Sequence, residues 1–404
     1  MFMDMRCILG TIRSVLKSEG VVEGGTGARC MQNCNKKKLL IVTNHSYMLY
    51  RFRKELIQRL MEEYEVVIST PFVGHEEDLQ ELGAHCIETE VDRRSVNPVT
   101  DLRLLRTYKK ILKRENPDLV ITYSIKPNIY AGYLCGKMKI PFLANVQGLG
   151  TAFQKPVLSD MVTVMYWTAL RKVEKVIFEN QANAQEFKKR RILSEEKEVA
   201  LHGAGINLEE YRYHFYPNNE KIHFLYLGRI MKEKGMDELF GAIERLRKDG
   251  CEFVLDLVGF FEEEYRKKVE HLQKEGIVRF YGFQEDPRPF YAQADCVVLP
   301  SYHEGMSNVL LEAAASGRAI ITTDIPGCRE AVDNGKSGML CRVKSADSLY
   351  KAMKRFTELS RDKREAIGKA GREKMEKEFD KNQVVEETVK VITGNRSKQE
   401  RGRL

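Results

Sequence analysis

Short apolar runs rich in β-branched residues alternate with longer amphipathic segments from residue 38 onward. The runs at 38–43, 118–123 and 295–300 are almost continuously apolar, as strands are when both faces of a parallel sheet are covered. Segment 101–116 instead spaces its apolar residues as one face of a helix requires. The pattern predicts an α/β fold in which parallel strands are joined by right-handed helical crossovers.

The stretch 295–330 carries the clearest chemical signal. A predicted strand at 295–300 leads into a polar loop at 301–307, and a run of strong helix formers then ends at Gly317. Open α/β sheets bind ligands at the carboxyl ends of their strands, where this loop lies. The helix start near Ser307 also offers unpaired N–H groups to an anion.

Two carboxylates bracket that helix start. Glu304 lies in the loop, and Glu312 lies about one turn inside the helix. Placed in this way, the pair can hold two hydroxyl groups of one extended ligand whose phosphates lie between them. The alternative is that Glu304 caps the helix and Glu312 is a solvated surface residue. The small residues at 313–317 indicate a tightly packed helix and favour the ligand-binding interpretation.

The stretch HEGMSNVLLEAAASGRAIITTDIPGCREAV, with Glu304 and Glu312 in it, resembles the E-x7-E motif of the retaining GT-B glycosyltransferases of family 4. The resemblance covers residues of about 38 to 390. It implies an α/β fold of the GT-B type, in which two doubly wound, Rossmann-like domains face each other across a cleft. It also implies transfer of a sugar from a nucleotide sugar with retention of anomeric configuration.

The resemblance divides the chain into four parts. Residues 37–216 form an N-terminal, acceptor-binding domain, and residues 217–380 form a C-terminal domain that binds the nucleotide sugar. Residues 381–404 form a helix that crosses back to the first domain and a basic, disordered tail. Residues 1–36 are predicted to be a disordered leader because 21–35 is rich in glycine. A short membrane-touching helix is the alternative for the leader.

Two cations follow the first predicted strand of the second domain. Arg229 and Lys234 lie in a loop between Gly228 and Gly235, and they resemble the family's pair that binds the donor diphosphate. A departing nucleoside diphosphate gains negative charge, so an enzyme without a metal needs fixed cations there. Solvated side chains are the alternative, which the bracketing glycines disfavour. No Asp-x-Asp occurs in the chain, so we expect no metal and no other cofactor.

The resemblance then assigns roles in the donor site. Glu304 holds the donor sugar and is counted with Arg229 and Lys234 as catalytic, while Glu312 holds the ribose. The remaining predicted donor contacts are Ser307, Asn308, Val309, Gly228 and Gly305. No G-x-G-x-x-G follows a strand, which argues against a nicotinamide enzyme.

The predicted acceptor contacts lie in loops that follow strands of the first domain, including an expected loop at 124–128 after the strand 118–123. TYSIKPNIYAG and NVQGLGTAF resemble a subgroup of family 4 that extends polyprenyl-diphosphate-linked sugars. Family members often have a glycine pair after the first strand, where this chain has polar residues. The cation Lys126 and the open backbone N–H groups of the turn at 148–150 suit a diphosphate. The alternatives are that 148–150 is only a tight turn, that Lys126 is solvated, and that His45 only neighbours a helix start. The predicted acceptor contacts are Asn44, His45, Lys126, Asn128, Gly148 and Gly150.

Charge and cysteine content refine this interpretation. The 404 residues include 66 Lys and Arg against 58 Asp and Glu, a net charge of +8 that suits anionic ligands or lipid. The apolar segment 157–170, which ends in Arg171 and Lys172, is predicted to be core, with an interfacial role left open. Nine scattered cysteines indicate reduced thiols.

No apolar run reaches the length of a membrane span. We expect a cytoplasmic protein, peripheral to the inner face of the plasma membrane, with no nucleic-acid partner.

The sequence therefore predicts a retaining glycosyltransferase of surface polysaccharide biosynthesis, such as capsule, exopolysaccharide or O-antigen assembly. Its donor is expected to be a UDP-hexose or a UDP-N-acetylhexosamine, and its acceptor a polyprenyl-diphosphate-linked saccharide. A UDP-sugar epimerase of GT-B fold and a non-catalytic sugar-nucleotide-binding subunit are the alternatives. The two carboxylates and two cations disfavour the subunit, and the acceptor loops disfavour the epimerase.

Overall fold

A computed structural model of the chain describes residues 36–92, 97–149, 153 and 156–394. The predicted leader up to residue 35, the predicted tail from residue 395, and Gly150 lie outside the described residues. The first domain is a seven-stranded parallel sheet in the order β3-β2-β1-β4-β5-β6-β7. Its strands are β1 (Lys37–Val42), β2 (Tyr64–Thr70), β3 (His85–Glu88), β4 (Leu119–Tyr123), β5 (Phe142–Val146), β6 (Lys175–Phe178) and β7 (Glu198–Ala200).

Helices cover both faces of this sheet. They are α1 (Ser46–Met61), α2 (Glu76–Glu81), α3 (Pro98–Glu115), α4 (Ile125–Met138), α5 (Pro156–Ala169) and α6 (Gln181–Lys189). Alternate strand residues enter two separate cores: Leu40 and Val42 pack on the side of α3, α4 and α5, and Leu39 and Ile41 pack on the side of α1. Because both faces of the sheet are covered, its strands must be apolar at almost every position, and the sequence shows this pattern.

The second domain repeats the plan with six parallel strands in the order β10-β9-β8-β11-β12-β13. The strands are β8 (Ile222–Leu227), β9 (Phe253–Val258), β10 (Val278–Gly282), β11 (Cys296–Leu299), β12 (Ala319–Thr323) and β13 (Gly338–Cys341). The helices are α7 (Met236–Lys248), α8 (Arg266–Lys274), α9 (Arg288–Gln293), α10 (Asn308–Ala315), α11 (Ala346–Thr357) and α12 (Arg361–Glu378). The predicted pair of doubly wound, Rossmann-like domains is confirmed.

The final described helix, α13 (Lys381–Gly394), returns to the first domain. Its Val385, Val389 and Ile392 belong to the same core as α1. Lys381 Nζ donates a hydrogen bond of 3.1 Å to the backbone carbonyl of Phe52 in α1. The chain thus passes between the domains twice, as the predicted crossover helix requires.

Strand order reverses at one point in each sheet, between β1 and β4 and between β8 and β11. Crevices at such switch points, outside the carboxyl ends of the strands, are where open α/β sheets bind ligands. The loops 228–235 and 301–307 follow β8 and β11 and therefore meet at the second crevice.

One predicted element is wrong at its start. The sequence suggested a loop at 124–128, but α4 begins at Ile125, after Ser124 with φ +73°. Pro127 is compatible with a loop. It is also tolerated in the first turn of a helix, where its missing N–H has no intrahelical partner. Lys126 and Asn128 therefore lie on a helix rather than in a loop.

Candidate active site

The loop between Gly228 and Gly235 is pressed against the end of β11. Gly235 has φ +75°, and a Cβ added there would lie 2.1 Å from the carbonyl oxygen of Pro300. No side chain fits at that position, so the backbone approaches closely and carries Lys234 to the loop 301–307.

Lys234 and Glu304 are in direct contact. Lys234 Nζ lies 2.5 Å from Glu304 Oε1, and Ser301 Oγ donates to the same oxygen at 2.7 Å. The side chains of Lys234 and Glu304 are only 17% and 14% exposed. The structure therefore brings together a cation and a carboxylate that the sequence placed in one site from two distant motifs.

Arg229 occupies the same loop but has a different partner. Its guanidinium lies 2.6 Å from a carboxylate oxygen of Glu262, and its carbonyl oxygen accepts a 2.6 Å hydrogen bond from the Tyr226 hydroxyl. Burial raises the pKa of Tyr226, with a further contribution from the nearby Glu304 carboxylate, so this phenol remains a hydrogen-bond donor. Tyr226 thus anchors the arginine end of the loop beside Glu304.

Glu312 is buried rather than solvated. Glu312 is only 5% exposed, and the Tyr291 hydroxyl donates a hydrogen bond of 2.8 Å to Glu312 Oε2. Burial raises the pKa of Glu312 to about 7. Asn308 and Glu312 face Arg51, Tyr211 and Lys381 around a cavity of about 20 Å³, roughly the space of one water molecule. The surface alternative for Glu312 is wrong, because the carboxylate lies between the domains.

This burial predicts a pH effect on stability. Between its usual pKa of 4.5 and its folded pKa of about 7, the folded chain keeps a proton on Glu312 that the unfolded chain releases. Stability supplied by that proton is lost as the pH rises through this window. A Glu312→Gln variant cannot ionise, so its stability relative to the native chain should increase by up to about 3 kcal/mol across the window.

Denaturant unfolding of both proteins at several pH values between about 5 and 8 measures the difference. The charged groups near Glu312, including Arg51 and Glu210, are present in both proteins, so the comparison isolates the Glu312 carboxyl. A difference that stays constant with pH would contradict the burial of this carboxylate.

The remaining predicted donor contacts surround the start of α10. Ser307 is buried, and its N–H donates to the carbonyl of Gly327 at 2.9 Å. Asn308 and Val309 are half-buried in the first turn of the helix. Gly228 is separate from them and directly follows β8, with φ +149°. The helix start and the Gly228–Gly235 loop therefore flank the same opening.

The two domains touch at Gly305. A Cβ on Gly305 would lie 1.8 Å from the carbonyl oxygen of Gln147, and one on Gly148 would lie 3.4 Å from Gly305 Cα. Asn180 Nδ2 donates to the Gly305 carbonyl at 2.5 Å. The loop after β5, predicted to bind the acceptor, therefore meets the loop after β11, predicted to bind the donor sugar.

A buried ion pair that the sequence analysis missed supports this contact. Arg53 of α1 lies 2.6 Å from Glu179, which follows β6, and also donates to the Gly203 carbonyl at 3.3 Å. Burial raises the pKa of Glu179, and the Arg53 guanidinium opposes that rise. The signal was present, since Arg53 interrupts the buried face formed by Leu49, Leu56 and Leu60.

The other predicted acceptor contacts differ in where the structure places them. Asn44 and His45 are half-buried at the carboxyl end of β1, and His45 precedes α1 without a side-chain capping bond. Lys126 lies 2.7 Å from Asp101 and ties α4 to α3. Asn128 is fully buried, where it accepts from Thr122 at 2.6 Å and donates to the Asn145 carbonyl at 2.9 Å. Its assignment as an acceptor contact is corrected: Asn128 joins β4 to β5 inside the domain.

The described residues bear on metal binding and on membrane spanning. Within the ranges that the structure describes, no three His, Cys, Asp or Glu side chains are grouped as a metal site requires. Of the helices in those same ranges, none has both the length and the hydropathy of a membrane-crossing segment.

Two facing Rossmann-like domains, with cations and carboxylates at the switch point of the second, define a glycosyltransferase of GT-B fold. Residues 38–180 match the family model "Glycosyl transferase 4-like", and residues 209–374 match "Glycosyl transferases group 1". The chain belongs to this family of glycosyltransferases, and it is a transferase.

Known proteins agree with this assignment. The chain is 30% identical over 322 residues to the N,N'-diacetylbacillosaminyl-diphospho-undecaprenol alpha-1,3-N-acetylgalactosaminyltransferase of Campylobacter jejuni, covering 74% of this chain and 84% of that one. A glycosyltransferase structure from Rickettsia africae superposes with a TM-score of 0.72 at 20% identity, covering 89% of this chain and 99% of that one. HepE of Anabaena, solved with UDP and glucose, gives 0.71 at 15% identity, covering 89% and 100%.

Proposed function

We propose that the chain is a retaining glycosyltransferase that moves a sugar from a UDP-hexose or UDP-N-acetylhexosamine to a lipid-linked saccharide during surface polysaccharide biosynthesis. The observation that carries the proposal is the contact between Lys234 and Glu304 at the carboxyl ends of β8 and β11. A cation for a phosphate and a carboxylate for sugar hydroxyls lie side by side there, at the point where GT-B domains face each other.

In the proposed reaction, Lys234 and Arg229 neutralise the donor diphosphate, helped by the positive end of α10 near Ser307 and Asn308. Glu304 orients the hydroxyls of the donor sugar, and Glu312 receives the ribose when Tyr211 and Arg51 move aside. The anomeric carbon loses its bond to the diphosphate oxygen and gains one to the acceptor oxygen on the same face. The acceptor proton passes to the departing phosphate oxygen. The fixed cations supply the charge that a metal supplies elsewhere.

The acceptor would approach from the first domain. Asn44 and His45 at the end of β1, and Gly148 after β5, lie on the edge that faces the donor loop. The Campylobacter relative is named for transfer to a diphospho-undecaprenol-linked saccharide, which supports an acceptor of that class. Such an acceptor is held in a membrane, so the protein is proposed to work in the cytoplasm, peripherally attached to the inner face of the plasma membrane.

The test measures UDP release from a panel of UDP-sugars, with and without defined polyprenyl-diphosphate-linked saccharides. We expect release that needs the acceptor and favours one donor, and NMR of the product should show the donor's anomeric configuration. Release without acceptor, accompanied by a changed free sugar, would establish the epimerase instead. Donor binding with no release from any pair would favour the non-catalytic subunit.

A further inference from the structure

Helix α5 exposes an apolar ridge that the active site does not use. Met161, Val164 and Trp167 are 44%, 62% and 53% exposed, and their spacing of three residues puts them on one side of the helix. The opposite side, with Val162 and Tyr166, is buried in the core of the first domain. Single exposed apolar residues are ordinary, but three large ones on one side of a helix mark a surface that binds something.

Cations border one end of the ridge. Arg171 and Lys172 follow α5 directly, while Lys137 and Lys139 come from the end of α4, and all four are exposed. The two helix ends are adjacent, since a Cβ on Gly136 would lie 3.5 Å from Lys172 Cβ. Carboxylates also lie in this region. Asp160 is exposed on the same side of α5 as Val164 and Trp167, Glu174 follows the end of the helix, and Glu196 is next to Lys197, which donates to the Arg171 carbonyl.

We propose that this α5 surface, formed by Met161, Val164 and Trp167 with the four cations, docks on a membrane that contains anionic lipid. The helix lies flat, its apolar side chains enter the boundary between headgroups and acyl chains, and the cations meet lipid phosphates. Tryptophan and the long stems of lysine and arginine suit that boundary. A second copy of the chain fits less well, because a two-fold contact through this surface brings like charges together.

The position of α5 connects docking to the proposed reaction, on which this part of the inference rests. The helix is 14 residues, about 21 Å, long, and its first residue follows the loop that carries Gly148. That loop contacts Gly305 beside the donor site. A membrane along α5 therefore lies next to the edge at which a lipid-linked diphosphate must enter.

Trp167 makes the proposal directly measurable, because it is the only tryptophan of the chain. The full-length protein is titrated with vesicles of phosphatidylcholine, with and without phosphatidylglycerol, while tryptophan emission and co-sedimentation are followed. We expect a blue shift and sedimentation with the anionic vesicles that weaken as salt is added. Neutralising Arg171 and Lys172 together to glutamine should weaken binding about 25-fold, at about fivefold for each cation.

A charged substitution on the ridge tests the apolar contact, and the same substitution at an exposed valine elsewhere is its matched control. Val164→Asp keeps the fluorescent reporter and should abolish vesicle binding, whereas Val343→Asp, at an exposed valine of the second domain, should leave binding unchanged. Equal thermal unfolding of both variants and the native chain would show that folding is intact. No emission shift with anionic vesicles, or an equal shift in Val164→Asp, would overturn the proposal. A dimer in light scattering that Val164→Asp dissociates would also overturn it, in favour of contact between copies.

The activity readout separates this inference from the function on which it rests. With a short-chain, water-soluble acceptor, Val164→Asp should retain native turnover, and with a vesicle-embedded acceptor it should lose turnover at least tenfold. A protein that binds vesicles through α5 but transfers no sugar would refute the proposed function and leave docking standing. Equal turnover of Val164→Asp and the native chain on vesicles would refute the role of docking and leave the transferase standing.

Discussion

Lys234→Ala is expected to lower the turnover number for sugar transfer about 100- to 1,000-fold, as removal of one fixed charge-stabilising group does in other enzymes. Lys234 is mostly enclosed and contacts Glu304 at 2.5 Å, so its charge acts in a site from which water is largely excluded. The loss should appear mainly in kcat, because the negative charge on the diphosphate grows as the sugar leaves. Steady-state UDP release at saturating donor measures it.

Lys232→Ala is the matched control, because Lys232 lies in the same turn and is exposed to solvent. It should retain nearly full turnover. Glu304→Gln preserves the size of the carboxylate but removes its charge, and we expect a loss of similar order. Native turnover in both Lys234→Ala and Glu304→Gln, with folding intact, would show that the transfer site lies elsewhere.

Arg53→Met is expected to destabilise the protein by about 3–5 kcal/mol, the usual cost of removing one partner of a buried ion pair. Arg53 lies 2.6 Å from Glu179, and both side chains are almost completely buried. Without the guanidinium, Glu179 must either remain charged without a partner or take up a proton. The shift in the denaturant midpoint measures the loss, which should be greatest above the raised pKa of Glu179.

Two further variants test whether the lost ion pair causes the destabilisation of Arg53→Met. The double variant Arg53→Met with Glu179→Leu removes both charges and should recover most of the lost stability, since a well-packed apolar pair often equals a buried ion pair. Arg59→Met removes a more exposed arginine of the same helix, paired with Glu386 at 2.9 Å, and should shift the denaturant midpoint much less than Arg53→Met does, because solvent screens an exposed ion pair. A double variant no more stable than Arg53→Met would attribute the loss to packing rather than to charge.

The stretch around β11, α10 and β12 could be predicted from sequence because each boundary has a local cause. The strands are continuous apolar runs, and the helix ends before Gly317, whose φ of +76° favours glycine. The start of α4 could not be predicted in the same way, because Pro127 is compatible with both a loop and a first helical turn.

Predictions that depended on distant partners were less successful. The small residues of α10 correctly indicated that Glu312 is packed, but they did not reveal Tyr291, which donates to it from another helix. Asn128 was predicted to contact the acceptor, but Thr122 and the Asn145 carbonyl hold it inside the sheet. The Arg53–Glu179 pair joins residues 126 positions apart, and local patterning does not reveal which carboxylate a buried arginine meets. Lys234 and Glu304, which the resemblance assigned to one donor site, lie in contact because both follow strand ends at one switch point.

The return of α13 to the first domain has a consequence for how the protein is made. Val385, Val389 and Ile392 complete the core beside α1, yet the ribosome adds them after the whole second domain. A nascent first domain therefore has an apolar face without its cover while the second domain is synthesised, when such faces are prone to aggregate. The domain that is synthesised first is the one that is completed last.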